Sequence, residues 1–519
     1  MHMALQEVLT QALASAFQPL TVLYALLGVI LGVTVGAIPG LTGDMAISIL
    51  LPFVFKADPT SSLGLLIGIY KGSMFGGSIS AISFGVPGTP AAAATVEDGY
   101  PLAKKGYPKQ AMLQALYSSV IGDFFSTLLL IFLTIPMGQI AIQFGPTEFF
   151  ALYVFSLVVI AILQRDSRIK GILAAVLGLF IGAIGVDPIT GASRMTFGMR
   201  MFRGGFASVP VLVGTFAISE LIIQYATANQ DKVLYKLGQT KERLEIDLNK
   251  NKDDKYTLKH LWQTMKCTMV GSVIGTFIGI LPGAGSSIAC YLSYGVGRSI
   301  SKDGDQFGTG VLNGVAAPEA GNSATCGASI IPLLAFGIPG SATAALIGAA
   351  LTMQGINPGP TMFADNQVII YAFFIVVVYA SIFNLGVSHL LIPLYAKISK
   401  MKPKYLVPVI FALAILGCYT TDNSVNNVIT LLLFGALGVV LRKFRIPLGP
   451  FVLGYLIGPA AERALRQALG MSNKGVMVLF ERPIAIGFYV ATIVFIFIIM
   501  YTFKANAKDL DKGAFSDDE

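Results

Sequence analysis

The sequence predicts an all-α polytopic integral membrane protein: about 12 spanning helices, at roughly 20 apolar residues each, with broken, hairpin-like segments, in two homologous halves. Three observations carry this. Only 12% of the 519 residues are charged while 54% are hydrophobic, whereas a soluble domain carries about 25% charge. Windows without Asp, Glu, Lys or Arg recur at 124–147, 267–297, 320–364, 366–396 and 483–503. Finally, Pro-Gly motifs interrupt apolar sequence at matched places in the two halves.

Runs of this length exclude an outer-membrane barrel, whose strands alternate over about ten residues. The net charge of +8 does not indicate nucleic acid, because Lys and Arg gather in short connectors, as in loops retained in the cytoplasm. Cys267, Cys290, Cys326 and Cys418 lie in apolar sequence without Cys-x-x-Cys spacing, so they read as small buried residues. The first apolar run lacks a basic n-region and a cleavage site and is expected to be retained. A multi-pass location in the bacterial inner membrane follows.

The first membrane repeat, 1–229, contains the break "GAIPGLTGD" from Gly36 and a second break, "SFGVPGTPAAAA", from Ser83. A charged segment, 230–260, reads as a cytoplasmic linker. The second repeat, 261–503, carries "GILPGAGSS" from Gly279 and "AFGIPGSATAAL" from Ala335. Pro39 thus stands opposite Pro282 and Pro87 opposite Pro339, at offsets of 243 and 252 residues. A weaker third match sets "GLFIGAIG" at Gly178 against "GYLIGPAA" at Gly454. The polar tail, 504–519, is expected to be disordered.

Charge does not decide how the halves are oriented. "QRDSRIK" from Gln164 and "RKFR" from Arg442 favour parallel halves, but "SRMTFGMRMFR" from Ser193 and "ERALRQ" from Glu462 are also basic. Inversion is favoured because broken helices of inverted repeats meet at the midplane.

Glycine permits a left-handed backbone and proline removes a donor, so each break frees polar backbone that lipid cannot satisfy. Such breaks belong where chain lines a cavity. The candidate substrate positions are Pro39, Gly40, Leu41, Thr42 and Gly43 in the first break, and Gly85, Pro87, Gly88 and Thr89 in the second. In the second half they are Pro282, Gly283, Ala284, Gly285, Ser286 and Ser287, then Pro339, Gly340, Ser341 and Thr343. Helix N-termini beginning there would present free N–H groups and partial positive charge to an anion such as a carboxylate. Candidates for coupling a cation are Glu319 with Asn322, Ser323 and Thr325, together with Asp44 and Lys71, because ionisable groups at membrane depth are functional by default. Asp123, Glu148 and Glu220 read as helix-end charges and His389 as a core histidine. The glycines of "YKGSMFGGSIS" read as packing positions. A passive anion channel is the competing reading. An intramembrane enzyme is disfavoured because "TGD" at Thr42 has no matching second acid motif, and no Walker-type phosphate loop is present.

At these residues the chain resembles the large membrane subunit (TctA family) of the tripartite tricarboxylate transporters. The resemblance rests on "GAIPGLTGDMAI", "YKGSMFGGSISAISFGVPGTPAAAATVEDGYPLAKKG", "GVDPITGASRMTFG", "GILPGAGSSIA", "AAPEAGNSATCGASIIPLLAFGIPGSATAALIGAALTMQGINPGP" and "GYLIGPAAERALRQAL". It implies a secondary importer of di- or tricarboxylates such as citrate, without a cofactor, coupled to Na⁺ or H⁺. It also implies two partners, a small four-helix membrane subunit (TctB-like) and a periplasmic solute-binding protein (TctC-like). Gly321-Asn322-Ser323-Ala324 departs from the family pattern after "APE", which bears on the cation assignment.

Overall fold

The computed structural model describes residues 5–38, 41–54, 56–164, 167–187, 190–226, 251, 253–398 and 403–513. Pro39 and Gly40, most of the 230–260 linker and residues 514–519 lie outside the described residues.

The first half contains α1 (Leu5–Ala16), α2 (Pro19–Ala37), α3 (Gly43–Val54), α4 (Pro59–Phe84), α5 (Ala93–Lys104), α6 (Pro108–Ala141), α7 (Pro146–Ile162) and α8 (Arg168–Gly182), then α9 (Ser208–Ala226). The second contains α10 (Leu258–Ile280), α11 (Gly285–Ile300), α12 (Leu312–Ala328), α13 (Ile330–Phe336), α14 (Ala342–Met353), α15 (Gln367–Ile398), α16 (Pro403–Asp422), α17 (Val425–Lys443), α18 (Leu448–Gly470) and α19 (Pro483–Gly513). Sequence sets many of these starts. Proline occupies the first turn of α2, α4, α6 and α7, where its missing N–H costs nothing. Asp58 caps α4 by accepting from the Ser61 N–H at 2.9 Å.

Glycines at every fourth position bring α2 and α4 into backbone contact. A Cβ at Gly28, Gly32 or Gly36 would strike Leu65, Ile69 or Ser73, and one at Gly68, Gly72 or Gly76 would strike Ala25, Val29 or Val33. The partners advance together, so α2 and α4 are parallel, and α3 must return between them. The second half repeats this design. Gly271, Gly275 and Gly279 of α10 close on Ala317, Gly321 and Thr325 of α12.

Between halves the sense reverses. Tyr70 of α4 meets Ser329 at 3.1 Å, the Met74 carbonyl meets Asn322 at 3.3 Å, and Ser78 meets Glu319 at 2.5 Å. As one member of each pair advances the other retreats, so α4 and its equivalent α12–α13 are antiparallel. The repeats are therefore inverted.

The halves also exchange partners. Helix α6 packs on α12, with Gly122 against Ala320 and Ser119 2.5 Å from Ser323. Its equivalent α15 packs on α4, where Ser381 reaches Lys71 at 2.8 Å. Likewise α8 packs on α18 (Gly178 against Phe451, Gly454 against Ala175), while α17 packs on α9 (Gly435 against Ile218). This corrects one expectation. Element order pairs α8 with α17 and α9 with α18, so Gly178 of α8 and Gly454 of α18 do not occupy equivalent positions, and their likeness reflects a shared need for a small residue at the contact.

Other expectations shift. Among the described residues six helices are long and apolar enough to cross a membrane, with five shorter apolar helices beside them. Other long helices, such as α10 and α18, are more polar, and the all-α polytopic architecture with broken segments agrees with the expectation. The tail expected to be disordered from Lys504 instead continues α19 to Gly513, consistent with its Ala, Lys and Leu content.

Charge is also sorted by end. At the end where α8 stops and α18 finishes, Arg194 pairs with Glu462 (2.6 Å), Arg466 with Asp187 (2.7 Å) and Arg482 with Glu148 (3.3 Å). A two-stranded hairpin, β1 (Gly185–Val186) with β2 (Ser193–Arg194), is tied down there. At the linker end, Lys104, Lys105, Lys109, Lys255, Lys259 and Lys302 form no ion pair among the described residues.

Candidate functional site

Each break is built from its local sequence. Gly85 ends α4 and Gly337 ends α13, both left-handed, at φ 66° and 73°, a conformation glycine adopts without steric cost. Chain then folds back. The Gly88 N–H donates to the Gly77 carbonyl at 3.1 Å, and the Gly340 N–H to the Ser329 carbonyl at 3.1 Å. These two bonds are equivalent across the repeat. Thr89 and Ser341 then cap the next helices, accepting from the Ala92 N–H at 3.4 Å and the Ala344 N–H at 3.1 Å.

The earlier breaks come to the same places. Gly36 approaches Gly88, and the Gly283 N–H donates to the Gly340 carbonyl at 2.9 Å. Thr42 precedes α3 and accepts from the Met45 N–H at 3.3 Å, after Leu41, which is buried. Gly43 begins α3 against Ser73. Pro282 and Ala284 precede α11, whose first turn holds Gly285, Ser286 and Ser287; Gly283 and Gly285 are left-handed at φ 73° and 72°.

Four half-length helices, α3, α5, α11 and α14, thus start near the middle of the antiparallel α4/α12 pair. Across the repeats α3 meets α14, since the Thr343 hydroxyl donates to Asp44. Similarly α11 meets the start of α5, where Ala91, Ala94 and Cys290 form a buried cluster. Tyr70 adjoins the first of these meetings, with its hydroxyl 3.1 Å from Ser329 and 3.4 Å from Ser341. N-terminal N–H groups and hydroxyls therefore converge from both repeats, an arrangement able to receive a carboxylate.

The ionisable candidates divide. Lys71 donates to both oxygens of Asp123 at 2.6 and 2.7 Å, to Thr127 at 3.0 Å and to Ser381 at 2.8 Å. An ammonium has three protons, so this set leaves none for an anion; Lys71 ties α4 to α6 and α15. Asp123, expected at a helix end, is buried in mid-α6. Glu319 is wholly buried and accepts at Oε1 from Ser78 at 2.5 Å and from Thr95. Asn322 lies one turn on, while Ser323 turns to Ser119 and Thr325 bonds the Asn322 carbonyl at 2.7 Å. Among the described residues no three His, Cys, Asp or Glu side chains group as a metal site would. Glu148 does sit at a helix start, in the capping box of α7, and Glu220 pairs with Arg442. His389, expected in the core, is exposed on α15 beside Tyr117.

Sequence reasoning missed Tyr70, Ser78, Thr95 and Asp98. The Asp98 carboxylate accepts from the backbone N–H groups of Gly308, Gly310 and Val311 at 2.8–3.1 Å and from the Tyr294 hydroxyl at 2.9 Å. An acid inside the "TVEDGY" segment after a break was the only local signal.

Inverted repeats whose interrupted helices meet at the core define a class of membrane transport proteins. The chain belongs to the tripartite tricarboxylate transporter TctA family, whose model matches residues 22–453. It is 33% identical over 471 residues, 91% of each chain, to an uncharacterized 52.8 kDa protein in a TAR-I ttuC′ 3′ region of Agrobacterium vitis. It is also 34% identical over 211 residues to an uncharacterized protein in the TAR-II ttuC′ 3′ region of the same organism, covering 41% of this chain and 87% of that one. No solved structure matches the chain significantly.

Proposed function

We propose that this chain is the large membrane subunit of a binding-protein-dependent secondary transporter, importing di- or tricarboxylates of the citrate type by cation-coupled alternating access. The observation that carries the reading is the meeting of half-helix starts from two inverted repeats, α3 with α14 and α11 with α5, each a helix N-terminus with partial positive charge and small or hydroxyl residues. A periplasmic solute-binding protein hands over the carboxylate, and a small four-helix membrane subunit completes the complex in the bacterial inner membrane. No cofactor takes part. Na⁺ or H⁺ supplies the drive.

Alternating access of an elevator type is supported by the division of the helices. The glycine-locked pairs α2/α4 and α10/α12, with α6 and α15, make a central body, and α7–α9 with α16–α18 make an outer one. Uncompensated lysines at the linker end support its cytoplasmic placement. The test is uptake of labelled citrate and dicarboxylates into cells expressing the chain with its two partners, with Na⁺ present or replaced and with the proton gradient intact or collapsed. Gradient-dependent accumulation is expected. Accumulation under neither gradient overturns transport of these substrates, and equilibration that persists without both identifies a channel.

A further inference from the structure

Glu319 and Asn322 share one face of α12, one turn apart, at 0% and 1% exposure. Oε1 of Glu319 accepts two hydroxyl bonds, from Ser78 of α4 and Thr95 of α5, yet its Oε2 is buried without a partner. The amide nitrogen of Asn322 faces the Met74 carbonyl at 3.3 Å. Its Oδ1 therefore points elsewhere, and it too is buried without a partner.

No cationic side chain offsets the carboxylate. Glu319 forms no ion pair among the described residues, and the donors of Lys71 are used on Asp123, Thr127 and Ser381. An isolated buried carboxylate is strongly unfavourable, and each orphaned buried acceptor adds its own desolvation penalty. One positive charge between them removes all three penalties. A divalent ion fits poorly, because hard divalent sites gather more oxygen ligands and only one acid is present.

We infer that Glu319, Asn322, Ser78 and Thr95 form a single binding site for a monovalent cation, Na⁺ or a proton, joining α12 of the second repeat to α4 and α5 of the first. The site exists in one copy. At the 252-residue offset that relates Pro87 to Pro339, the equivalents of Ser78, Thr95, Glu319 and Asn322 are Ile330, Ile347, Ile67 and Tyr70, which supply no second carboxylate. Thr95 lies less than two turns beyond Thr89 at the start of α5, so occupancy fixes that helix end against α12. The inference rests on the transport reading only for its purpose; the ion would order one face of the carboxylate site and so couple the two.

The test uses the purified full chain in lipid nanodiscs, with no partner or carboxylate. Thermal unfolding and ²²Na⁺ binding are followed in NaCl against N-methylglucamine chloride at fixed pH, and unfolding alone across a pH series without Na⁺. Wild type should be stabilised by Na⁺ with saturable ²²Na⁺ binding, or by acid alone if the ion is a proton. Glu319→Gln, which keeps the shape and removes the charge, should lose the response to both. Should Glu319→Gln fold poorly, Thr95→Val should fold and raise the half-saturating Na⁺ concentration, or shift the acid midpoint, by about tenfold. Wild type indifferent to both ions, or variants responding as wild type does, overturns the site. Intact cation binding beside absent uptake would instead overturn the transport reading alone.

Discussion

Lys71 and Asp123 illustrate how much a single residue depends on contacts that no local pattern announces. Their side chains are 0% and 3% exposed, and removing one partner of such a pair leaves a buried charge. Lys71→Met should therefore destabilise the protein by about 3–5 kcal/mol, read as a lower unfolding temperature in detergent. The double variant Lys71→Met, Asp123→Leu should recover most of that loss; a double variant as unstable as the single would remove the ion-pair explanation. Asp98 makes the same point with backbone donors. Asp98→Asn turns an NH₂ group towards N–H groups and should cost about 1–3 kcal/mol by thermal unfolding, with no loss if the loop bonds are incidental. Lys71 and Glu319 were visible in the sequence as charges in apolar windows. Asp123 was read as a helix-end charge, and Tyr70, Ser78 and Thr95 were not singled out, because each acquires its role from a helix distant in sequence.

Elements were more legible where glycine and proline carry backbone meaning of their own. Both pairs of breaks could be read directly, since a left-handed cap or a fold-back leaves the same residues behind in each repeat, as Gly85 and Gly337 do. Orientation was not legible. Arginines at the far end imitate a retained loop in sequence, and only their pairing with Glu148, Asp187 and Glu462 distinguishes them from the unpaired lysines opposite. The match of Gly178 with Gly454 failed for a related reason: close helix packing selects glycine whether or not two positions are equivalent. At this scale Gly283→Val is decisive, because its φ of 73° disfavours a branched residue and its Cβ would strike Ile160. Uptake should fall to background while membrane insertion stays normal; normal uptake would remove the third break from the site. Gly295→Ala, on the helix that follows, where a Cβ would meet open space, should transport as wild type does.

For the whole molecule, inversion means that α2 and α10, α4 and α12–α13, α6 and α15, and α8 and α17 are counterparts pointing opposite ways, and the exchange of α6 for α15 and α8 for α17 knits the halves into bodies that neither could form alone. The charge sorting then predicts a direction that can be measured. The four native cysteines are buried, so single exposed cysteines report cleanly. Thr190→Cys should react with a membrane-impermeant maleimide added outside cells or spheroplasts, and Lys302→Cys only after permeabilisation. The opposite pattern would reverse the orientation.

One contact bears on how such a chain is made. Helix α3, at 12 residues, is too short to span a bilayer, which takes about 20, yet it must return between two parallel helices. Its partner Thr343 lies 299 residues downstream of Asp44. At roughly 5–20 residues per second of synthesis, α3 waits on the order of 15–60 s for α14 to emerge. During that interval the newborn first half holds an incomplete hairpin in the membrane, the stage at which a chaperone or an insertase would have the most to protect.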